Sequence, residues 1–241
     1  MRDYSFKPGL TASLIAIMVL PLFISLGVWQ LHRADEKKSL IALHQQRMQD
    51  EPLTLGAEEP NLEDVRYRRV IVSGEYDVEH QFLLDNQVHQ QSPGYHVLTP
   101  LRIAGTDSAV LVNRGWIPMG ASRAELPDVD IRQASVQIAG SVDRFPGVGL
   151  RLEGAEIPAA GWPAVVQVVD PERIGERLGY TVLPYQVLAD ETVDEAYIRA
   201  WKETHLDPGK NLGYALQWFL FALIGLVLYV RHGVKLQPRR Q

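Results

Sequence analysis

Two long stretches without a charged residue constrain the fold of this 241-residue chain more than any other feature. Residues 8–31 and 211–230 contain 24 and 20 consecutive uncharged, mostly apolar residues. At about 1.5 Å per residue, a helix of either length reaches across a hydrocarbon core of roughly 30 Å. Pro21 lies in the first stretch, where a membrane helix tolerates proline more readily than a soluble helix does. The stretches therefore predict transmembrane helices at residues 10–31 and 211–230.

Two other interpretations of these stretches stay open at this point. The first stretch follows the basic residues Arg2 and Lys7 and contains a pair of small residues, Ser25 and Gly27, spaced as at a signal-peptide cleavage site. Its apolar part is, however, longer than an ordinary signal-peptide core. The second stretch could be a buried helix of a soluble protein, although a basic tail follows it directly.

The predicted helices divide the chain into segments of very different charge. They leave an N-terminal tail at residues 1–9, a helical extension and linker at 32–60, a main domain at 61–210 and a C-terminal tail at 231–241. Residues 32–210 carry a net charge of −10, whereas the C-terminal tail carries +4. That basic tail favours the cytoplasmic side, although Arg33, Lys37, Lys38 and Arg47 argue locally for the opposite orientation. Because long loops cross membranes largely regardless of charge, we expect the central domain outside the cytoplasm.

The central segment is expected to form a mainly antiparallel β (α+β) domain. A polar helix continues the first transmembrane helix to Met48, and Pro52 ends it. One further short helix has Asp170 as its N-cap, Pro171 at its first position and Gly179 at its end. Short strand-like runs lie at 69–73, 80–84, 95–99, 109–113, 135–142, 164–169 and 183–188, and turn residues such as Gly74, Pro93 and Gly94 separate them. The sequence thus predicts a membrane protein whose two transmembrane α-helices flank an extracytoplasmic β domain.

The sequence lacks the residue patterns that mark common enzymes. It contains no Cys, which excludes disulfides, thiolate-bound metals and cysteine nucleophiles. No nucleophile elbow, phosphate-binding loop, zinc-protease helix or dinucleotide fingerprint occurs. His80, His89 and His96 lie on or beside predicted strands. Neighbouring strands could bring them together as a metal site, or the three residues could be unrelated. Because these patterns are missing, we expect no enzymatic activity and no resident metal. We also expect no nucleic-acid partner, because a domain with a charge of −10 repels phosphate backbones.

Four segments stand out for their order along the chain. They are LGVWQLHR at 26–33, RVIVSGEY at 69–76, the pair GYHVLTP at 94–100 and VLVNRGWIP at 110–118, and NLGYALQWF at 211–219. Together they resemble the surfeit-locus-one (Surf-one/Shy-one) family of cytochrome c oxidase assembly proteins. With two membrane helices around one domain, the resemblance extends from about Gly9 to Tyr229.

This resemblance implies a function and a location. The protein would lie in the bacterial cell inner membrane, with both termini in the cytoplasm and the central domain in the periplasm. It would act with cytochrome c oxidase subunit I and other oxidase assembly factors, assisting haem a insertion into subunit I or maturation of that subunit. The family's proposed haem ligand is a His directly before the last transmembrane helix, where this chain has Asn211. Since a carboxamide is a poor ligand for haem iron, we expect no tightly bound cofactor and only transient contact with haem a.

The candidate residues for that haem contact surround the two predicted membrane helices. They are Asn211, Tyr214, Trp218, His205 and Trp29. His205 could replace the missing ligand if the turn at 207–209 folds it back, and His32 is a second replacement. The other interpretations make His205 a solvated histidine and Trp29 an aromatic anchor at the membrane interface.

A second set of motif residues is predicted to bind a partner protein. It comprises Arg114, Gly115, Trp116, Gln30 and Gln217. Arg and Trp are enriched in binding hot spots, but Trp116 could equally be a core anchor, with Gly115 supplying an unusual backbone angle. Gln217, polar within an apolar helix, is expected to hydrogen-bond the first transmembrane helix or a partner's helix.

The sequence therefore predicts a non-enzymatic assembly factor for cytochrome c oxidase. The alternative is a two-span envelope sensor or scaffold whose periplasmic domain binds a small ligand or a partner protein. Only the first hypothesis predicts loss of haem–copper oxidase activity in a deletion strain whose haem synthesis is intact.

Overall fold

A computed structural model of the chain describes residues 4–56, 60–120, 123, 125–131, 133–147, 149, 153–190, 197–201 and 206–236. It contains two compact units, Met1–Leu43 with Thr204–Gln241, and His44–Glu203. The elements follow in the order β1 (Tyr4–Phe6), α1 (Leu10–Gln49), β2 (Leu53–Leu55), α2 (Leu62–Val65), β3 (Arg69–Tyr76), β4 (Phe82–His89), β5 (Ser92–Ile103), β6 (Ser108–Pro118), β7 (Ser135–Asp143), β8 (Ala164–Val166), α3 (Pro171–Leu178), β9 (Thr181–Ala189), α4 (Pro208–Gly233) and β10 (Val234–Leu236). We call the unit of residues 1–43 and 204–241 the helix-pair unit, and the unit of residues 44–203 the barrel unit.

The helix-pair unit consists of the first part of α1 packed antiparallel against α4. Ser13 Oγ lies 3.0 Å from the hydroxyl of Tyr229, and a Cβ added to Gly225 would lie 3.3 Å from a methyl group of Leu20. The short strands β1 and β10 pair antiparallel beside the helix ends. Each helix is long and apolar enough to cross a membrane, and only 6% and 11% of their most apolar windows are buried among the described residues.

Local signals explain where these helices begin and end. α1 continues through the polar extension to Gln49, three residues before Pro52. α4 begins at Pro208, one turn before the predicted start at residue 211. The Asp207 carboxylate caps it by accepting from the backbone N–H of Gly209 at 2.9 Å, and Pro208 needs no partner for its nitrogen.

The barrel unit is built on a mixed sheet: five of its eight described strand pairings are antiparallel, as the sequence predicted for most of the sheet, and three are parallel. Five strands close into a ring in the order β3-β7-β9-β6-β5, with β5 returning to β3, while β2, β4 and β8 extend the sheet. β6 and β9 pair in parallel at the centre, and the short edge strands β2 and β8 are also parallel to their neighbours. A parallel pair needs a long crossover connection, which the chain between β6 and β9 supplies. Strand-like runs alone do not reveal that connection.

Ring closure depends on a glycine that the sequence analysis placed in a turn. Gly74 lies inside β3 opposite Ile103 of β5, and a Cβ at residue 74 would collide with the backbone oxygen of Arg102. Because glycine lacks that atom, β3 and β5 can approach closely enough to pair. Pro93 and Gly94, also predicted as turn residues, lie near the start of β5.

The core fills the ring and the space between the sheet and α3. Leu101, Val112 and Tyr185 lie at its centre, each fully buried. A second cluster packs Ile174 of α3 against Leu98 and Leu111. Each such side chain contributes about 1.5–3 kcal/mol when it leaves water, so the barrel unit has a core of its own.

The short helix α3 forms as its sequence predicted. The Asp170 carboxylate accepts from the backbone N–H of Arg173 at 3.3 Å, and Pro171 occupies the first helical position. Gly179 ends the helix with φ of 77°, which glycine adopts without steric cost.

Candidate functional site

The motif at residues 113–116 adopts an irregular backbone within β6. Opposite it, Val97 of β5 pairs with Gly115, and the next residue, Leu98, pairs with Asn113. Arg114 is therefore an extra residue, a β-bulge, and its neighbours no longer alternate between the two faces of the sheet. Asn113 and Arg114 are both buried, as is every residue of β6 from Ser108 to Trp116.

The bulge directs the Arg114 side chain into a polar network inside the barrel unit. Its Nη1 donates to Gln81 Oε1 at 2.7 Å and to the backbone oxygen of Val129 at 2.9 Å. The Thr99 hydroxyl, at 3.4 Å from the same nitrogen, also donates to Gln81 Oε1. The Arg114 guanidinium lies 5.0 Å from the centre of the Tyr197 ring. A buried charge is tolerated only when it is hydrogen-bonded in this way.

Trp116 is fixed by two hydrogen bonds and by close packing against Gly94. Its indole N–H donates to the backbone oxygen of Gln87 at 3.1 Å, and its backbone N–H donates to the backbone oxygen of Ile198 at 2.7 Å. Gly94 packs directly against the ring, since an added Cβ would lie 2.5 Å from Trp116 Cε2. Gly115 has φ of 134°, a conformation that side chains rarely adopt.

Burial of these residues favours the packing interpretation of the motif over the docking one. Arg114 is 2% exposed and Trp116 is 6% exposed, so neither is presented on the surface of the barrel unit. The predicted set Arg114, Gly115 and Trp116 thus organises the domain interior.

In the helix-pair unit, three polar side chains form a chain of hydrogen bonds between α1 and α4. Lys37 Nζ donates to Asn211 Oδ1 at 2.7 Å, and Asn211 Nδ2 donates to Gln30 Oε1 at 2.6 Å. We call Gln30, Lys37 and Asn211 the polar latch. Gln30 is buried, and Asn211 and Lys37 are half-buried. The latch joins the helices where their apolar stretches meet the polar segments.

Close packing continues along the helix pair away from the latch. A Cβ added to Gly27 would lie 2.5 Å from the Phe219 ring, so this glycine allows α1 and α4 to approach. The Phe23 ring lies 5.6 Å from Trp218 and 5.8 Å from Phe221, forming an aromatic cluster.

The other predicted residues of the helices point away from this packing. Trp29 and Tyr214 are 54% and 55% exposed, as residues facing lipid or a partner would be. Gln217 is exposed and forms no hydrogen bond with any described residue, so only its predicted contact with a partner's helix stays open. Gln30 is the glutamine that bonds the two helices together.

The chemistry of Asn211 does not fit an axial haem ligand. A carboxamide is a poor ligand for haem iron, and both its oxygen and its nitrogen are engaged in the polar latch. His32 is exposed on α1, and His205 lies outside the described residues. His80, His89 and His96 have separate neighbours: His80 lies 2.8 Å from Asp77, whereas His89 and His96 lie beside Trp116 and Asn113, respectively. Within the described part of the chain, no three His, Cys, Asp or Glu side chains are grouped to hold a metal.

Two tyrosines of the barrel unit have perturbed acidity. Burial, together with a hydrogen bond from its hydroxyl to Asp77 at 2.8 Å, raises the pKa of Tyr180 far above its ordinary value of 10.0. Burial and the nearby Asp85 carboxylate raise the pKa of Tyr95. Both phenols therefore stay neutral well into the alkaline range, where they serve structure rather than acid–base chemistry.

Sequence reasoning missed the partners that give these residues their roles. Gln81 carried no motif signal, and Lys37 counted only as one of several basic residues after the first helix. The available signal for the bulge was Gly115 itself, a glycine near the polar end of an otherwise apolar strand. The latch joins residues more than 170 positions apart, so no local pattern contains it.

Comparison with known proteins identifies relatives along nearly the whole chain. The profile of the SURF1 family matches residues 17–223. A SURF1-like protein of Monosiga brevicollis is 25% identical over 97% of this chain and 94% of its own length. A SURF1-like protein of Caenorhabditis briggsae is 31% identical over 90% of this chain and 74% of its own length. The cytochrome oxidase assembly protein SHY1 of Saccharomyces cerevisiae is 31% identical over 48% of this chain and 30% of its own length. The predicted family resemblance is confirmed, and the chain belongs to the SURF1 family.

Proposed function

We propose that this protein is a membrane-anchored assembly factor for cytochrome c oxidase that acts on subunit I during haem a insertion. It works without enzymatic activity, through contacts of its helices and its barrel unit with subunit I and other assembly factors. The name of the yeast relative, a cytochrome oxidase assembly protein, supports the oxidase as the client. We further propose that it lies in a bacterial inner membrane, with both termini in the cytoplasm and the barrel unit in the periplasm.

The observation that carries this proposal is the construction of the helix pair. Its inner face is closed by the polar latch and the aromatic cluster, while Leu216, Leu223 and Leu228 of α4 are between 56% and 61% exposed. A contiguous apolar surface of this kind needs lipid or another membrane helix to cover it. In a bilayer, the α4 surface would be available to the helices of subunit I.

The haem part of the proposal is contact without ligation by this chain. The exposed rings of Trp29 and Tyr214 support an apolar contact with a porphyrin, and the engagement of Asn211 in the latch argues against ligation. Titrating the detergent-purified protein with haem a should give no stable low-spin six-coordinate spectrum. Such a spectrum, lost in His205→Ala or His32→Ala, would contradict this part of the proposal.

Substituting Asn211 with the residue typical of the family sharpens the haem test. Asn211→His removes the carboxamide from the latch and offers an imidazole, the commonest haem ligand. We expect this variant to gain a histidine-type haem spectrum that the wild type lacks. If both proteins gave the same spectrum, the residue at this position would not decide ligation.

Co-purification from native membranes tests the proposed client. Subunit I should be recovered with the tagged protein, and replacing the exposed leucines of α4 with alanine should lower its recovery at equal expression. Matched replacement of exposed Leu14 and Ile17 of α1 shows whether α4 is the preferred face. Recovery of subunit I no higher than with an unrelated two-span protein would refute the proposed contact.

The topology can be tested because the chain contains no cysteine. Single cysteines at Ser73 and Ser141 should react with a membrane-impermeant reagent added from the periplasm, and a cysteine at Gln237 should not. The reverse labelling pattern would place the barrel unit in the cytoplasm.

A further inference from the structure

A groove of about 360 Å³ lies on the barrel unit, and none of the residues that line it is assigned above to haem or membrane contact. Residues from three chain segments, at 78–81, 127–130 and 162–163, line it. Its apolar part includes Val78 and Trp162, which are 40% and 38% exposed. A partly exposed tryptophan in a concave surface is typical of binding sites.

The tryptophan wall of this groove is held rigidly in place. The Arg177 guanidinium lies 4.2 Å from the centre of the Trp162 ring and donates to the backbone oxygens of Ala159 and Gly161 at 2.7 and 3.0 Å. The His80 ring packs edge-on against Trp162 at 4.6 Å. Because the Trp162 ring is already fixed, less side-chain entropy is lost when a ligand binds against it.

The buried motif arginine fixes two more residues of the groove. Gln81 and Val129 both line it, and both accept hydrogen bonds from Arg114 Nη1. The family motif on β6 is thus connected to the surface through the groove, although Arg114 itself is buried. This connection gives the buried network a functional consequence.

The charge of the groove indicates the kind of ligand. Glu79, Asp128 and Asp130 line it, all three are exposed, and none belongs to an ion pair among the described residues. The apolar lining suits the methylene stem of a lysine or arginine, while the carboxylates suit its charged head. We propose that this groove docks a basic segment of a partner polypeptide, with a cationic side chain held between Trp162 and the three carboxylates.

This inference goes beyond the proposed function, because it holds for any partner that presents such a segment. Binding of a fluorescein-labelled peptide of alternating lysine and alanine to the full-length protein in detergent, measured by fluorescence anisotropy, tests it. The triple variant Glu79→Gln, Asp128→Asn, Asp130→Asn should weaken binding about tenfold, since each exposed pair contributes modestly. Trp162→Leu should weaken it about threefold or more through loss of the cation–π contact.

A matched control separates the groove from the general acidity of the domain. The triple variant Glu51→Gln, Glu63→Gln, Asp64→Asn removes the same charge from exposed residues outside the groove. It should change the dissociation constant less than about twofold at 0.15 M salt, where distant charges are screened. Equal weakening by both triples would overturn the proposal.

The remaining outcomes also decide the question. Replacing lysine by norleucine in the peptide should abolish binding, and undiminished binding of that peptide would contradict a cationic ligand. If lysine amide displaced the peptide at equal concentration, the groove would be a small-cation site and not a polypeptide site. Absence of peptide binding at millimolar concentration would refute the proposal, while leaving the proposed oxidase role to be decided by co-purification.

Discussion

The helix-pair unit exposes most of its leucines, whereas the barrel unit buries its own. Leu98 and Leu101 of β5 are fully buried, but Leu216 of α4 is 61% exposed. The barrel unit therefore gains its stability from burying apolar surface within the chain. The helix pair keeps such surface exposed, which supports the proposed contact with lipid or a partner's helices.

The two units also treat polar groups differently. In the barrel unit, the Arg114 network is buried, and loss of the arginine would remove the donor to Val129 O and one of the two donors to Gln81 Oε1. In the helix pair, the polar latch is half-buried at one end of the apolar stretches. The first network lies inside the folded barrel unit, and the second joins two helices at one end of their apolar stretches.

The largest predicted contrast concerns leucine truncation. Leu98→Ala should lower the free energy of unfolding of the barrel unit by about 2–5 kcal/mol, because it leaves a cavity in the core. Leu216→Ala, at an exposed position on α4, should leave it unchanged. Denaturant titration followed by circular dichroism of the β signal measures both. Equal losses would show that the barrel unit does not have a core of its own.

Removing the buried arginine should be the next largest effect. Arg114→Met keeps much of the side-chain volume but leaves Val129 O without its arginine donor and Gln81 Oε1 with only the Thr99 hydroxyl. We expect a loss of about 1–3 kcal/mol of unfolding free energy in the same titration. Arg144→Met, at an exposed arginine outside this network, is the control and should cost less. An unchanged midpoint in Arg114→Met would remove the network from the account.

The hydrogen bond of Tyr180 should appear as alkaline sensitivity. Because the pKa of Tyr180 is raised in the folded state, its contribution to stability is complete below the unfolded value near 10 and is lost as pH rises above it. Tyr180→Phe should cost about 1 kcal/mol at neutral pH and make the decline above pH 10 shallower than in the wild type. Unfolding midpoints measured from pH 8 to 11.5 test this, and parallel declines would contradict it.

The smallest predicted effect concerns the polar latch. Asn211→Ala breaks both latch bonds and should weaken pairing of α1 with α4 by about 0.6 kcal/mol, a typical value for hydrogen bonds between membrane helices. Gln217→Ala, on the exposed face of α4, is the matched control. The yield of a disulfide between cysteines placed at Leu20 and Gly225 reports pairing. The yield should fall in Asn211→Ala and stay at the wild-type level in the control. A yield in Asn211→Ala as high as in the control would show that the latch does not hold the helices.

Features encoded locally were predictable from the sequence, and features made by distant contacts were not. The caps of α3 and the positions of most strands follow from short patterns such as Asp170–Pro171. The parallel pairing of β6 with β9 and the ring closure at Gly74 depend on which strands meet after long connections. Composition predicts that strands exist but does not choose their neighbours.

The candidate site shows the same limit. The motif at 114–116 was recognisable, but its role depends on a bulge that places consecutive residues on the same side of β6. Nothing near Asp128 and Asp130 in the sequence indicates that they lie beside Trp162. Their common groove exists only in the folded chain.

The most direct test of the central claim is the state of cytochrome c oxidase in a strain that lacks this protein. We predict that its membranes lose most haem–copper oxidase activity and most haem a in subunit I, while haem a synthesis continues, and that the wild-type chain restores both. Normal oxidase activity and a normal haem a content of subunit I in the deletion strain would contradict the account.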